Sequence, residues 1–167
     1  MPSILKVFRA YLVLAGFTVA ALVAWRIAST YQWERLGDDD KTMLPTLQPA
    51  QVFRLDRNVR FSELRCGNLV AYVKDPSKPG DVAVGRIVGL PGDRVTILKG
   101  EVRVNGELAS DDLSKKPTEG EVPDLLVPRG TFFLLVDLRT GWELQRGVDS
   151  RAFGPISAGR VLGRLVL

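Results

Sequence analysis

The sequence predicts an antiparallel all-β domain preceded by one N-terminal transmembrane helix. Three observations lead there. Residues 10–25, AYLVLAGFTVAALVAW, form an uninterrupted apolar run. Beyond residue 50 the chain breaks into short segments rich in Val and Ile, the residues that favour strands. Turn residues separate those segments: Cys-Gly-Asn at 66–68, Asp-Pro-Ser-Lys-Pro-Gly at 75–80, Lys-Gly at 99–100 and Asn-Gly at 105–106.

Taken in order, residues 1–9 are a short N-terminal segment and 10–28 a membrane anchor. Spanning a bilayer takes about 20 residues. The run reaches that length when Arg26 snorkels to the interface and Ile27-Ala28 extend it. Tyr11, Trp25, Tyr31 and Trp33 supply interfacial aromatics. A cleaved signal peptide and a buried core helix are the competing readings; no clean A-x-A site follows the run. Lys6 and Arg9 precede the span, and Arg26, Arg35 and Lys41 follow it, so basic residues give no clear orientation. The short N-terminus is placed inside because it lies nearest the span and a long domain translocates largely regardless of charge. A single-pass membrane protein with its β domain on the extracytoplasmic side is the resulting expectation.

Residues 29–41 read as a juxtamembrane linker and 42–167 as the β domain. Its strand candidates are 52–57, 69–74, 82–88, 94–98 and 101–105, with 131–139 and 160–167 closing the sheet. RVTIL-KG-EVRVN alternates with period two on both sides of a two-residue turn, which predicts a hairpin. Residues 109–124 lack an apolar period and read as an exposed loop.

Composition narrows the function. The chain has 167 residues, 46% hydrophobic and 25% charged, which is globular and enough for one domain with an appendage. A net charge of +4 is mild and scattered, and no nucleic-acid motif accompanies it, so no nucleic-acid partner is expected. The single cysteine, Cys66, allows no internal disulfide and reads as a small apolar filler. Histidine is absent, which excludes Ser-His-Asp, Cys-His and His-ligated zinc chemistry. No metal site and no cofactor are expected. A hydrolase built on this chain needs a lysine, a carboxylate or an amine as its base.

Four segments carry a family pattern. TMLPTL (42–47) resembles the nucleophile box of type I signal peptidases, Ser-Met-x-Pro-Thr-Leu, and CGNLVAYVKDP (66–76) their Gly-Asp-hydrophobic strand box. GRIVGLPGDRV (85–95) resembles the Lys-Arg-Val-x-Gly-Leu-Pro-Gly-Asp box. VPRGTFFLLVDLR (127–139) with DSRAFGPI (149–156) resembles the last box, Gly-Asp-Asn-Arg followed by Asp-Ser-Arg-x-Phe-Gly. The boxes stand in the family's order behind an N-terminal anchor. The resemblance implies a signal-peptidase-like β fold and a membrane-anchored serine endopeptidase that removes signal peptides with a Ser/Lys dyad. A lysine buried in an apolar site can be neutral and take the serine proton.

Carried over position by position, that chemistry is substituted. Thr42 stands at the nucleophile and adds a β-methyl that restricts χ1. Gly85 stands at the general base and accepts no proton. Gly147 replaces the serine that orients the lysine, and Asp40 stands where some members place an oxyanion-donating hydroxyl. Val136 and Leu138 replace the glycine and asparagine of Gly-Asp-Asn-Arg, and residues 140–148 lengthen the spacing to Asp149. The scaffold positions remain: Pro45, Gly89, Pro91, Gly92, Asp93, Asp137, Arg139, Asp149, Arg151 and Gly154. Glycine and proline there suit tight turns, and the four charged residues of the last box read as ion pairs among themselves. Lys41 points away from its neighbour on an extended chain. Lys74, Lys78 and Lys99 fall at a strand end, a loop and a turn, and Arg86 cannot deprotonate.

Three readings stay open. In the first, a catalytically impaired protein holds signal peptides or partners an active signal peptidase at the membrane. In the second, Thr42 remains a nucleophile with a relocated base, Asp40 being the carboxylate nearest in sequence. In the third, the protein has an assembly role, with Trp142 and Leu144 of the 140–148 insertion touching lipid or a partner.

Overall fold

The computed structural model describes residues 4–78, 80–109, 116–141 and 147–167. Helix α1 runs from Ile4 to Thr30, so it takes in most of the short N-terminal segment and extends past residue 28. Its stretch Lys6–Arg26 is long and apolar enough to cross a membrane and is not buried inside the protein, which removes the core-helix reading. The Thr30 carbonyl accepts the Arg57 amide at 3.3 Å, and Asn58 Nδ2 donates to Thr30 Oγ1 at 3.1 Å. The helix end is thereby tied to the β domain.

No loop follows the helix. Strand β1 (Tyr31–Arg35) begins at the next residue and pairs along its length with β2 (Val52–Asp56). The stretch 29–41 is therefore part helix end, part sheet and part loop, rather than a free linker. The remaining strands are β3 (Leu69–Val73), β4 (Val82–Gly89), β5 (Arg94–Leu98), β6 (Glu101–Val104), β7 (Glu107–Leu108), β8 (Val122–Leu126), β9 (Thr131–Leu135), β10 (Ile156–Ser157) and β11 (Val161–Val166). A one-turn helix, α2 (Ser150–Phe153), precedes β10. All pairings are antiparallel, in a seven-stranded sheet ordered β1-β2-β11-β3-β4-β9-β10 and a four-stranded sheet ordered β7-β6-β5-β8.

The predicted hairpin forms as β5–β6. Lys99 and Gly100 both have positive φ, as the tight two-residue turn requires. Strand β8 lies partly inside the stretch read as an exposed loop, because Pro123 and Asp124 mask its pattern. Trp142 and Leu144 lie outside the described residues.

Strands β3 and β4 are buried on both faces, which is why they read as nearly continuous apolar runs. Leu69 and Ala71 join Met43, Leu47, Phe53 and Val136 in one cluster. Val70 and Tyr72 join Ile87, Phe132 and Leu134 in a second on the opposite side. A third, with Val88, Val95, Ile97 and Phe133, packs the small sheet against β4 and β9. Two glycines permit close approach. A Cβ on Gly89 would stand 2.6 Å from Val95 Cγ2, and one on Gly163 would stand 2.5 Å from the Asp56 carbonyl oxygen.

Gly163 meets backbone, which cannot step aside as a flexible side chain can. Gly163→Ala is expected to destabilise the domain by about 1–3 kcal/mol, the range for forced overpacking. Gly80→Ala, with nothing within 4 Å of its Cβ, is the matched control and leaves the urea midpoint unchanged or slightly raised.

Candidate active site

The loop after β1 carries Thr42. It is closed by backbone hydrogen bonds from Leu36 N to Gln51 O (2.9 Å) and from Ala50 N to Gly37 O (3.0 Å). Fully buried Met43 and Leu47 pin it to the first core cluster. Leu138 N donates to the Thr42 carbonyl at 2.9 Å, joining the loop to the segment after β9. The Leu44–Pro45 peptide bond is cis.

Thr42 Oγ1 donates to Asp40 Oδ1 at 2.6 Å, and the Thr42 amide donates to the same oxygen at 2.9 Å. Two donors two residues on from one carboxylate oxygen define an Asx-type turn. The same arrangement recurs at Asp75, which accepts Ser77 N at 2.9 Å and Ser77 Oγ at 2.8 Å in an exposed loop. Local turn chemistry therefore suffices to place Asp40 against Thr42. Among the described residues no lysine hydrogen-bonds the Thr42 hydroxyl. Lys41, Lys78 and Lys99 are exposed, and Lys74 Nζ pairs with Asp81 at 2.7 Å.

Gly85 lies buried within β4, and its surroundings are closed. A Cβ there would meet Tyr72 Cε1 at 3.2 Å, Leu134 Cβ at 3.4 Å and the Leu135 carbonyl oxygen at 3.7 Å. Strand register explains the neighbour: Gly85 pairs with Val70, and Tyr72, two residues on, emerges on the same face of β3. Tyr72 is fully buried, and its hydroxyl donates to the Val148 carbonyl. Burial pushes the phenol well above its ordinary range. Nearby Asp149 adds to this, as do Asp40 and Asp81 more weakly, while Arg160 opposes it. Tyr72 is thus a neutral donor. Gly147, next to Val148, has φ +85° with open space around it, a conformation in which a serine would be strained.

The structural positions form two ionic knots. Arg86 forks onto Asp137, Nε to Oδ1 at 2.8 Å and Nη2 to Oδ2 at 2.6 Å, and Nη1 donates to Gly67 O at 2.8 Å. Thr46 Oγ1 donates to Asp137 Oδ2 at 2.5 Å. Asp137 therefore pairs with Arg86 on β4, where the sequence reading had looked for a partner within the last box. Asp149 and Arg151 do pair with each other. Arg151 Nη2 lies 2.7 Å from Asp149 Oδ2, and the same oxygen accepts the Val136 amide at 3.1 Å. Asp149 also caps α2, accepting Arg151 N at 3.0 Å. Arg139 is buried, and its carbonyl accepts the Glu119 amide at 2.9 Å. In the Gly89–Asp93 corner, Asp93 Oδ2 accepts the Leu90 amide at 2.8 Å across Pro91-Gly92, and Gly92 N reaches Val127 O at 2.9 Å. Gly92 has φ +95°, as that turn needs.

A cavity of about 90 Å³ opens beside Asp40, lined by Glu34, Leu36, Gly37, Phe53 and Ala83 among others. No group of His, Cys, Asp or Glu suited to a metal occurs among the described residues. The geometry thus brings Asp40 to Thr42, and connects Gly85 through Tyr72 to Val148 beside Gly147. The sequence reading missed Tyr72, Thr46, Ser150, whose Oγ accepts the Leu134 amide at 2.9 Å, and the structural role of Arg86. The one local signal for Tyr72 was a glycine inside a strand, which marks close approach by something.

The profile for "Signal peptidase, peptidase S26" matches residues 9–167. The probable thylakoidal processing peptidase 2 of Arabidopsis thaliana is 33% identical over 86 residues, covering 52% of this chain and 22% of that protein. The mitochondrial inner membrane protease subunit 1 of Mus musculus is 29% identical over 161 residues, covering 96% and 81%. This chain thus spans only about a fifth of the plant relative but most of the mouse one. A crystal structure of a signal peptidase I from Enterococcus faecalis aligns with TM-score 0.48 and 24% identity, over 62% of this chain and 97% of that one.

The two kinds of ion pair predict different costs. Asp137→Ala removes the carboxylate that balances the charge of Arg86, whose side chain is only 14% exposed, and is expected to lower unfolding free energy by about 3–5 kcal/mol. Arg94→Ala breaks an exposed pair with Asp124 and is expected to cost less than about 1 kcal/mol. Urea unfolding of the detergent-solubilised chain measures both.

Proposed function

Since the chain belongs to the signal peptidase family, peptidase S26, by a match that covers residues 9–167, we propose that it is a membrane-anchored member that holds extended peptides of the signal-peptide kind and cuts them poorly or not at all. One observation carries this reading. Gly85, at the position of the family's base, has no side chain to accept a proton, and Tyr72 Cε1 packs 3.2 Å from where a Cβ would stand. Without a base, an alcohol is a weak nucleophile at neutral pH.

Asp40 adds to the impairment. An ionised carboxylate beside the attacking oxygen donates nothing to a developing oxyanion and repels it. Two features support the holding of a peptide. β1 is the terminal strand of its sheet, and an extended peptide can add to such an edge by main-chain hydrogen bonds. The cavity of about 90 Å³ beside Asp40 suits a small side chain. α1 is the proposed anchor, with the β domain on the extracytoplasmic side. Signal peptides of exported proteins, or an active peptidase that receives them, are the proposed partners.

A second reading has one observation in its favour, the 2.6 Å hydrogen bond from Thr42 Oγ1 to Asp40. In it Asp40 takes the threonine proton and the enzyme is active. The repeat of that turn at Asp75–Ser77 weakens it, because the contact forms where no chemistry is at stake.

Incubation of the full chain in detergent with a fluorogenic signal-peptide substrate separates the two. The expected result is no turnover above background, with Thr42→Ala indistinguishable from the parent and both binding the labelled peptide equally by fluorescence anisotropy. Turnover that vanishes in Thr42→Ala and in Asp40→Asn would establish the active reading instead.

A further inference from the structure

We propose that the joint between α1 and β1 carries a basic collar, Arg54, Arg57 and Arg60, that binds the phosphates of anionic phospholipid headgroups. The inference rests on the proposed role of α1 as the anchor and adds what the β domain meets at the membrane surface. The helix sets the height of the collar. Its stretch able to cross a membrane ends at Arg26, and α1 itself continues to Thr30. Four further residues, at about 1.5 Å each, place Thr30 about 6 Å past that stretch along the helix axis. The headgroup layer on each face of a bilayer is about 5–8 Å thick, so Thr30 stands within it. Two hydrogen bonds bring the β2–β3 loop to the same height. The Arg57 amide donates to the Thr30 carbonyl at 3.3 Å, and Asn58 Nδ2 donates to Thr30 Oγ1 at 3.1 Å. Arg57 Nη1 also donates to Gln32 Oε1 at 2.7 Å, which keeps its guanidinium beside the start of β1. The Arg54 guanidinium lies over the ring of Tyr31, the first residue of that strand, 4.5 Å from its centroid.

Positive charge at the joint exceeds its local compensation. Among the described residues neither Arg54 nor Arg57 has a carboxylate partner, and Arg54 Nε is buried without a hydrogen bond. Asp56, the neighbour of Arg57 in sequence, turns instead to Arg164 at 3.5 Å and to the Asn58 amide at 3.0 Å. Arg60 stands 3.9 Å from Glu63, and both side chains are exposed, so that pair is weak. The loop is also fixed in place, because Phe61 packs on Phe132 with ring centroids 4.4 Å apart. Guanidinium groups present paired N–H donors in a fork that fits phosphate oxygens. Each basic side chain held near an anionic lipid surface strengthens binding by about fivefold. At headgroup depth the neighbour is lipid rather than a folded partner, and an anionic headgroup supplies the charge that the chain does not.

The test titrates phosphatidylglycerol, and separately phosphatidylcholine with the same acyl chains, onto the detergent-solubilised full chain and reads the first bound lipid by native mass spectrometry. Phosphatidylglycerol should bind at least about fivefold more tightly. That preference should fall to near unity in Arg57→Gln/Arg60→Gln and persist in Arg94→Gln/Arg103→Gln, which removes the same charge from the four-stranded sheet. Equal affinities for the two lipids in the parent chain, or equal losses in the two variants, overturn the proposal. Should Arg57→Gln/Arg60→Gln fail to fold, ionic strength decides on the unaltered protein. An electrostatic preference disappears between about 0.05 and about 0.5 M ammonium acetate, and one indifferent to salt overturns the proposal. Alkaline carbonate extraction from vesicles tests the premise by itself. A chain released into the wash has no anchor and defeats both readings, whereas a retained chain without headgroup preference defeats this one alone.

Discussion

The buried Arg86–Asp137 pair joins strand β4 to the segment that follows β9, and Thr46 draws the nucleophile loop into the same contact. A charge that far from water is tolerated only when every polar atom around it is answered. Here the guanidinium forks onto the Asp137 carboxylate and also reaches the Gly67 carbonyl and the Thr46 hydroxyl, so the answer comes from three separate stretches of chain. The second knot, Asp149 with Arg151, repeats the device on the other side of β9 by accepting the Val136 amide where the ladder has ended. The first pair reaches the loop that carries Thr42 through Thr46, and the second holds the segment after β9 through Val136.

Scaffold and chemistry have separate requirements in this chain. The turn at Gly89–Asp93 needs a positive φ and a carboxylate that accepts a backbone amide, and both are in place. A proton acceptor contributes to rate; a filled core contributes to stability. The residues at 85, 72 and 148 are packed on one another, Tyr72 standing beside Gly85 and donating to the Val148 carbonyl.

Much of the fold was legible in the sequence wherever the signal was local. The β5–β6 hairpin was announced by period-two alternation around Lys99-Gly100, and both turn residues adopt positive φ. Strand β1 was not legible. It starts at Tyr31 directly after the helix, without a turn residue, and its Tyr and Trp read equally well as interfacial aromatics. β8 was hidden by Pro123 and Asp124, which are tolerated because β8 is the edge strand of the small sheet. At the site, Thr42, Gly85, Gly147 and Asp40 were picked out by resemblance to the family pattern. The partners could not, since Asp137 meets Arg86 and Tyr72 meets Val148 across 51 and 76 residues of sequence. Only strand register brings such residues together, and register is a property of the assembled sheet.

The seamless passage from α1 to β1 has a mechanical meaning. Thr30 ends the helix, Tyr31 begins the strand, and the bonds from Arg57 and Asn58 brace the junction. Such a joint leaves no linker between helix and sheet. Were α1 to lie in lipid, as proposed, its tilt would pass to the sheet, as a mast passes its lean to the deck, and would carry the cleft at Asp40 with it.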